Sequence, residues 1–223
     1  MLTAKSLSFY RDGYQVFSGI SFNVKSGSCF FIKGPNGSGK TTLLKLIAGF
    51  LPIQEGIITI NGVQLSNNYD FIAQNTDYIG HSNAMKKQMT TWDNLKFWSA
   101  LSECKSRSKL ENEFEDLMII DRFKNQIVSF CSAGQIRRAA LSKLSVNNKK
   151  LWLLDEPTAS LDQDALINFS KLIQAHCVNG GAAIIATHNE IQIPKINFGS
   201  IEMKRGDTKD KSLRFDPFLV GDW

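Results

Sequence analysis

The residues with the clearest chemistry form a glycine-rich run, Gly34–Thr41, with the sequence G-P-N-G-S-G-K-T. Glycines let successive backbone N–H groups point inward around phosphate oxygens, and a following helix would offer its positive N-terminal end to the same anion. Lys40 would reach the terminal phosphates of a nucleotide, and the Thr41 hydroxyl would be placed to bind Mg²⁺. A chance glycine turn is the alternative, but these positions would match by accident only on the order of 1% of the time. The candidate nucleotide-binding residues are Gly34, Pro35, Asn36, Gly37, Ser38, Gly39, Lys40, Thr41 and Thr42.

Two adjacent carboxylates, Asp155 and Glu156, follow the apolar run Leu151–Leu154. Such a run predicts a strand buried on both faces, and ligands bind at the carboxyl ends of strands in open α/β sheets. We expect Asp155 to hold Mg²⁺ through water, because this ion keeps much of its hydration shell. Glu156 is predicted to position the attacking water. A strand that merely ends in solvated acids is common, but beside the phosphate loop we favour the catalytic interpretation.

Strands and helices alternate along the chain in a way that would position these groups. Residues 2–33 are predicted strands, the last of which, Cys29–Ile32, directly precedes the glycine-rich loop. Apolar residues at helical spacing then predict a helix that runs as far as Leu51 and stops near Pro52. The further predicted elements are strands at 56–62, 151–154 and 182–186, and helical segments at 91–125, 134–146 and 165–176. This alternation predicts a mostly parallel α/β sheet.

The segment 91–125 is the candidate for a second subdomain. Thr90 or Thr91 is predicted to cap its first helix. The polar, charged stretch Lys105–Asp116 continues the segment, and we interpret it as a helical insertion.

Composition sets loose bounds on function. The chain has 223 residues, 43% of them hydrophobic, which is enough for one or two compact domains. The net charge of +5 suits an ordinary solvated surface, and is also compatible with a polyphosphate, an anionic membrane or nucleic acid as a partner. Basic residues crowd into one C-terminal segment: Lys195, Lys204, Arg205, Lys209, Lys211 and Arg214.

The sequence gives only weak indications of where the protein is located and of whether its environment is reducing or oxidising. No stretch approaches the ~20 apolar residues that span a bilayer, and the first residues do not resemble a signal peptide. The four cysteines form no C-x-x-C pair and no metal-ligand spacing, and they suit a reducing cytoplasm. They are Cys29, Cys104, Cys131 and Cys177.

Three further motifs, together with the glycine-rich loop, resemble those of ABC-type ATPases. Cys131–Gln135, C-S-A-G-Q, is similar to the family's signature, usually L-S-G-G-Q, with two substitutions. Ala159–Asp162 resembles the D-loop, and Thr187 and His188 resemble the H-switch. The motifs stand in the family's order between residues 34 and 188, a combination far more specific than any one of them.

This resemblance implies a fold and a mechanism. The fold would be α/β, a P-loop NTPase of ABC type with a mostly parallel sheet core, an N-terminal antiparallel β subdomain and a helical subdomain. In a single ATP-binding domain of residues 1–223, segments 1–81 and 147–223 would form the core with the β subdomain, and 82–146 the helical signature subdomain. Two subunits would sandwich two nucleotides head to tail, and each ATP, bound with Mg²⁺, would be hydrolysed by in-line attack of water.

The family's roles carry over residue by residue. The signature would contact the γ-phosphate bound to the other subunit; its residues here are Ser132, Ala133, Gly134 and Gln135. His188 would contact the γ-phosphate and link it to Glu156 and to the partner's D-loop, whose aspartate corresponds to Asp162. Tyr10 would stack on adenine, with Tyr14 as a rival, although either residue could simply belong to the core.

His81 stands where the family usually has the glutamine of the Q-loop. A neutral imidazole can accept a hydrogen bond or approach a metal, so His81 joins Thr41 and Asp155 as a candidate at the metal site. Unlike an amide it can be protonated, which predicts that coupling depends on pH.

His81 and the S-A-G-Q signature narrow the resemblance to the ATP-binding subunits of cytochrome c maturation exporters, the CcmA group. The segment F-S-G-I-S-F at 17–22 and the short length agree. This group implies membrane subunits of the CcmB and CcmC type, haem as cargo, and a peripheral position on the cytoplasmic face of the inner membrane. The chain has no C-x-x-C-H haem-attachment motif, and the ATPase subunit would not be expected to hold the cargo.

Two alternatives stay open. One is the same type of subunit with another cargo, such as a lipid or a peptide. The other is a soluble ABC ATPase acting on DNA or the ribosome, which the basic C-terminal segment favours slightly. Nucleic acid is the less favoured partner, because such proteins usually fuse two nucleotide domains or carry long coiled coils.

Overall fold

Two sheets frame the chain in the computed structural model, which describes residues 1–101, 123–146, 149–188 and 191–205. The strands are β1 (Leu2–Arg11), β2 (Tyr14–Val24), β3 (Ser28–Lys33), β4 (Glu55–Ile60), β5 (Val63–Gln64), β6 (Thr76–Ile79), β7 (Leu151–Asp155), β8 (Ala182–Ala186) and β9 (Asn197–Glu202). The α-helices are α1 (Lys40–Ile47), α2 (Tyr69–Asn75), α3 (Thr91–Leu101), α4 (Ala133–Val146) and α5 (Gln163–Val178). One sheet is antiparallel, in the order β2-β1-β4-β5, and the other is parallel, in the order β6-β7-β8-β3-β9. The predicted parallel core and N-terminal antiparallel subdomain are confirmed.

The apolar strands of the parallel sheet are buried on both faces because each face is covered by a different layer. Side chains alternate along a strand, so Leu151 and Leu153 of β7 face the first core while Trp152 and Leu154 face the second. The first core packs α1 between the two sheets. The second core packs α4 and α5 against the opposite face of the parallel sheet, where Phe169 is completely buried.

His176 of α5 is an unusual member of that second layer. Its ring stacks on Trp152 with centroids 3.6 Å apart and planes 7° from parallel. Burial lowers the pKa of His176 to about 4, so the ring is neutral in the folded chain near pH 7.

Helix α1 ends a turn earlier than its apolar spacing predicts. The prediction that it runs to Leu51 is wrong: α1 ends at Ile47, and Gly49 adopts a left-handed conformation with φ of 75°. Gly49 N–H donates to Leu46 O and Phe50 N–H donates to Lys45 O, which is how a glycine just past a helix closes its last carbonyls.

The predicted helical segment 91–125 is only partly a helix. Thr90 caps α3, since its hydroxyl accepts from Asp93 N–H and donates to the Asp93 carboxylate. Residues 123–125 form a turn instead, and the Lys124 carbonyl accepts from the backbone N–H of Trp92 at the start of α3. The helical insertion predicted at Lys105–Asp116 lies outside the described residues.

All strands that carry predicted chemistry end at the same edge of the parallel sheet. The glycine-rich loop follows β3, Asp155 ends β7, His188 lies two residues past β8, and His81 lies two residues past β6. Parallel neighbours end together, so four segments far apart in sequence meet here. In the described part of the chain, no helix is both long enough and apolar enough to cross a membrane.

Candidate nucleotide-hydrolysis site

The candidate site is a cleft of about 640 Å³ at this carboxyl edge. The predicted residues that line it are Asn36, Gly37, Gly39, Lys40, Thr41, Thr42, His81, Asp155, Glu156 and His188. Sequence motifs that are scattered over more than 150 positions therefore face one solvent-accessible volume.

The glycine-rich loop has a shape that other residues could not adopt at two positions. Gly34 has φ of 142°, and a Cβ there would lie 2.3 Å from the Met203 carbonyl oxygen. Gly39 has φ of 91°, and its Cβ would lie 2.7 Å from a Val16 methyl group. Because Gly39 is the N-cap of α1 and brings no side chain, the first N–H groups of the helix are left for an anion.

Lys40 is held inside the loop by its own backbone. Its ammonium donates to Gly34 O at 2.7 Å and to Pro35 O at 3.1 Å, and lies 3.1 Å from His188 Nε2. Burial lowers the pKa of Lys40, while the carboxylates of Glu156 and Asp155 oppose that shift. The cation is thus positioned at the phosphate loop and can exchange carbonyl partners for phosphate oxygens.

Thr41 and Asp155 supply the donor set for a hard cation. The Thr41 hydroxyl donates to Asp155 Oδ2 at 2.8 Å, and the Asp155 side chain is almost fully buried. Hydroxyl, carboxylate and water oxygens are the ligands that Mg²⁺ prefers, so these two residues fit the ion. His81 lines the same cleft, but an imidazole nitrogen suits transition metals better, so a contact through water is the role that fits His81.

Glu156 has the conformation and surroundings of a water-positioning group. Its backbone is left-handed, with φ of 45°, and its N–H donates to Ala186 O at 2.8 Å. The buried Oε1 atom has no hydrogen-bond partner among the described residues, and His188 Nε2 lies 3.4 Å away. Glu156 lines the cleft, and a carboxylate with spare acceptor capacity can accept a hydrogen bond from water.

His188 lies at the centre of these groups. Besides Lys40 and Glu156, its Nε2 atom lies 2.6 Å from Asn36 Oδ1. One ring nitrogen can donate to the two oxygens or accept from the ammonium, but cannot do both at once. The tautomer of the ring therefore decides which partner His188 holds.

The signature lies beside the D-loop and outside the cleft, whereas the D-loop reaches the cleft through Ala159. Ser132 and Gln135 cap the start of α4 reciprocally, since Gln135 Oε1 accepts from Ser132 N–H at 2.8 Å and Ser132 Oγ accepts from Gln135 N–H at 3.3 Å. A Cβ on Gly134 would lie 2.8 Å from Ser160 O of the D-loop. Asp162 caps α5 by accepting from Ala165 N–H at 2.9 Å. Within one chain, the structure does not bring the signature residues Ser132, Ala133, Gly134 and Gln135 to the phosphate loop.

The two tyrosines considered for adenine are not among the residues that line the cleft. Tyr10 is held at its backbone, where Gln54 Oε1 accepts from Tyr10 N–H at 2.7 Å, and Tyr14 is 61% exposed. Arg11 and Val16 line the cleft instead. Alternation in β1 and β2 could have flagged these neighbours, but nothing in the sequence marks them as ligands.

Two polar residues beside the site, the half-buried Tyr78 and the buried Arg137, were not predicted. Tyr78 of β6 has its pKa raised to about 12, by burial first and then by the negative charge of Asp155. Arg137 of α4 is 4% exposed and donates to the backbone of both predicted carboxylate residues. The sequence of a helix does not indicate which backbone carbonyls a cationic side chain on that helix will contact.

A second cleft adjoins the first on the side of β6 and α3. It has a volume of about 620 Å³, and its lining includes Phe50, Tyr78, His81 and Trp98. Phe50 is 63% exposed and packs edge-on against Tyr78 at 5.3 Å. An exposed aromatic side chain beside a concave surface is typical of protein interfaces.

Comparison with known proteins places these features in a family. The ABC transporter family model matches residues 17–159. The cytochrome c biogenesis ATP-binding export protein CcmA of Mesorhizobium japonicum is 41% identical over 188 residues, which cover 84% of this chain and 91% of that protein. CcmA of Paracoccus denitrificans is 37% identical over 195 residues, covering 87% of this chain and 86% of that protein. A solved dimeric bacterial ABC transporter cassette has the same fold, with a TM-score of 0.79 at 22% identity, covering 92% of this chain and 94% of that one.

Proposed function

Since the chain belongs to the ABC transporter family as an ATP-hydrolysing subunit, we propose that it drives an export step of cytochrome c biogenesis. One observation carries the hydrolytic part: the Thr41–Asp155 pair, the Lys40 ammonium and the Glu156 carboxylate all face one cleft. The export step rests on the two relatives, each named as an ATP-binding export protein of cytochrome c biogenesis.

The proposed chemistry follows from the contacts in the cleft. The polyphosphate of ATP takes the place of the Gly34 and Pro35 carbonyls as partner of the Lys40 ammonium. The Glu156 carboxylate accepts a hydrogen bond from the attacking water, and His188 holds the terminal phosphate. Bound Mg²⁺, held by Thr41 and by Asp155 through water, would neutralise charge on the phosphates. Most of the catalysis would come from this positioning and charge stabilisation.

We propose that the site is completed by a second copy of the chain. The N-terminus of α4, with Ser132 and Gly134, is the kind of group that binds a phosphate. In one chain it lies apart from the phosphate loop, so only a partner's signature could meet the γ-phosphate. The dimeric cassette of the same fold supports this arrangement.

The membrane partner would dock at the second cleft, around Phe50, Tyr78 and Trp98. His81 lines both clefts, so it could link the state of the nucleotide to that of the partner. In the proposed assembly, segments 1–81 and 147–223 act as the core and 82–146 as the moving helical subdomain. The partners would be membrane subunits of the CcmB and CcmC type, the chain would sit on the cytoplasmic face of the inner membrane, and haem would be the cargo.

Complementation and turnover together test the proposed function. In cells that lack the endogenous chain, the wild-type protein should restore haem-stained c-type cytochromes, whereas Lys40→Ala should not. Purified chain, alone or with the co-purified membrane subunits, should release phosphate from Mg·ATP. Turnover without complementation would favour another cargo, and a salt-sensitive DNA gel shift would favour the soluble alternative. A chain that binds no ATP in either form would refute the hydrolytic assignment.

A further inference from the structure

The guanidinium of Arg137 is buried and uses every one of its N–H groups. Nε donates to Pro157 O at 3.1 Å. Nη1 donates to Gly80 O at 2.8 Å and to Asn83 Oδ1 at 3.0 Å. Nη2 donates to Asp155 O at 3.0 Å and to Glu156 O at 2.9 Å. Removing such a cation from water is costly, and only a full set of oxygen partners offsets that cost.

These acceptors belong to two segments that the sequence separates widely. Asp155, Glu156 and Pro157 leave the end of β7, while Gly80 and Asn83 flank His81 after β6. One side chain on α4 therefore holds the backbone of the predicted water-positioning residue and the backbone around His81 at once. The left-handed φ of 45° at Glu156 is costly for a residue with a side chain, so the surrounding bonds must maintain it.

A second cation on the same helix reinforces one of these contacts. Lys143 Nζ donates to Asn83 O at 3.1 Å and lies over the Trp98 ring at 4.5 Å. The loop after β6 is thus held by α4 on both sides of His81, at Gly80 and at Asn83. The same helix begins at the capped signature residues Ser132 and Gln135.

We propose that Arg137 is a positioning residue that fixes the Glu156 backbone to the signature helix and to the loop carrying His81. It touches no substrate; it acts by setting the direction of the Glu156 carboxylate when α4 moves. Lysine cannot replace it, because a single ammonium has three donors and cannot span five acceptors arranged in a plane. This inference rests on the proposed hydrolytic role of Glu156.

The test separates nucleotide binding from turnover in the full chain. Arg137→Lys and Arg137→Gln are compared with wild type and with Lys171→Gln, a matched control on the exposed face of α5. Mg·ATP affinity and stoichiometry are measured by calorimetry, and kcat by phosphate release per binding site. We expect both Arg137 variants to keep Kd and KM within about threefold and to lose about tenfold to hundredfold in kcat, since a displacement of about 1 Å has effects of that size. The control should match wild type.

Counting only the sites that bind ATP removes the effect of misfolded protein, which would lower the number of sites rather than the rate per site. Arg137→Gln with a per-site kcat within about twofold of wild type would overturn the proposal. If neither Arg137 variant is soluble, Asn83→Ala removes one acceptor; it should lower kcat about threefold with Kd unchanged, and an unchanged kcat would overturn the proposal. If the wild-type chain hydrolyses ATP but does not restore c-type cytochromes, only the proposed role in cytochrome c biogenesis is contradicted. If the wild-type chain does not hydrolyse ATP, both the proposed function and the role of Arg137 are contradicted.

Discussion

Nε2 of His188 lies 3.1 Å from Nζ of Lys40, although 148 positions separate the two residues. The contact joins the segment after β8 to the start of α1, beside the proposed phosphate site. In the proposed mechanism, nucleotide binding would exchange this contact for a new one, and both partners are side chains with a proposed role in catalysis.

Replacing the Lys40 ammonium should remove the charge that holds the terminal phosphates. We expect Lys40→Ala to lower turnover at least about hundredfold, because the cation neutralises charge that develops in phosphoryl transfer. Phosphate release measures the turnover, and calorimetry with Mg·ATP measures how well the variant holds the nucleotide. Lys171→Ala, at an exposed position, serves as the control, and wild-type turnover in Lys40→Ala would contradict the assignment.

Removing the negative charge of Glu156 should leave ATP binding intact and slow ATP hydrolysis. Glu156→Gln keeps the side chain's shape but is a much weaker acceptor for a water proton, so it should bind ATP normally and turn over at least about hundredfold more slowly. We expect the variant to accumulate as an ATP-bound dimer, which light scattering after gel filtration would detect. Glu55→Gln, an exposed carboxamide change, should stay like wild type. A Glu156→Gln chain with full activity would rule out this role for Glu156.

His81 should make coupling depend on pH. Imidazoles change charge between about pH 5 and about pH 8, whereas an amide does not. ATPase activity of the complex, measured between about pH 6 and about pH 8, should vary in wild type and be flatter in His81→Gln. Identical profiles for the two proteins would defeat the hypothesis.

His176 should make the fold less stable in acid. Its pKa falls from the ordinary 6.5 to about 4 on folding, so the unfolded chain binds a proton more readily than the folded chain. The contribution of neutral His176 to the free energy of unfolding is fully present above about pH 6.5. It is lost as pH falls toward 4, which lowers the free energy of unfolding by on the order of 2–3 kcal/mol. Urea unfolding at about pH 7.5 and about pH 5 measures this loss. In His176→Gln the free energy of unfolding should differ less between the two pH values than in wild type. If the difference is the same in both proteins, other groups cause the loss of stability.

The sequence predicted those parts of the fold in which local pattern and tertiary packing agree. β3, β7 and β8 are short apolar runs because both sheet faces are covered, and the glycine spacing of 34–39 reflects backbone shapes that only glycine takes easily. Helix α2 and strands β6 and β9 escaped prediction. T-D-Y-I of β6 is short and half polar, and β9 has most of its side chains exposed.

The site was predictable as a set of residues but not as a network. The order of the motifs identified Lys40, Asp155 and His188 as candidate residues. The sequence spacing does not give the distances from His188 Nε2 to its possible partners, and these distances determine which contacts it can exchange. Arg137 was missed for a related reason: its acceptors are backbone carbonyls, and every residue has one. The left-handed backbone of Glu156 likewise follows from bonds to β8 and α4 rather than from its own residue type.

The position of β6 at the rim of the parallel sheet has a mechanical consequence. Among the described strands its one ladder in that sheet, from Thr76–Leu151 to Ile79–Leu154, ties it to β7, while β3 lies two strands further in. A pull delivered by a membrane subunit near His81 would load this outer strand first and leave the strand beneath the phosphate loop under little tension. In the proposed assembly the edge strand would therefore be the first to yield, while the strand that precedes the phosphate loop stays paired on both sides, with β8 and β9.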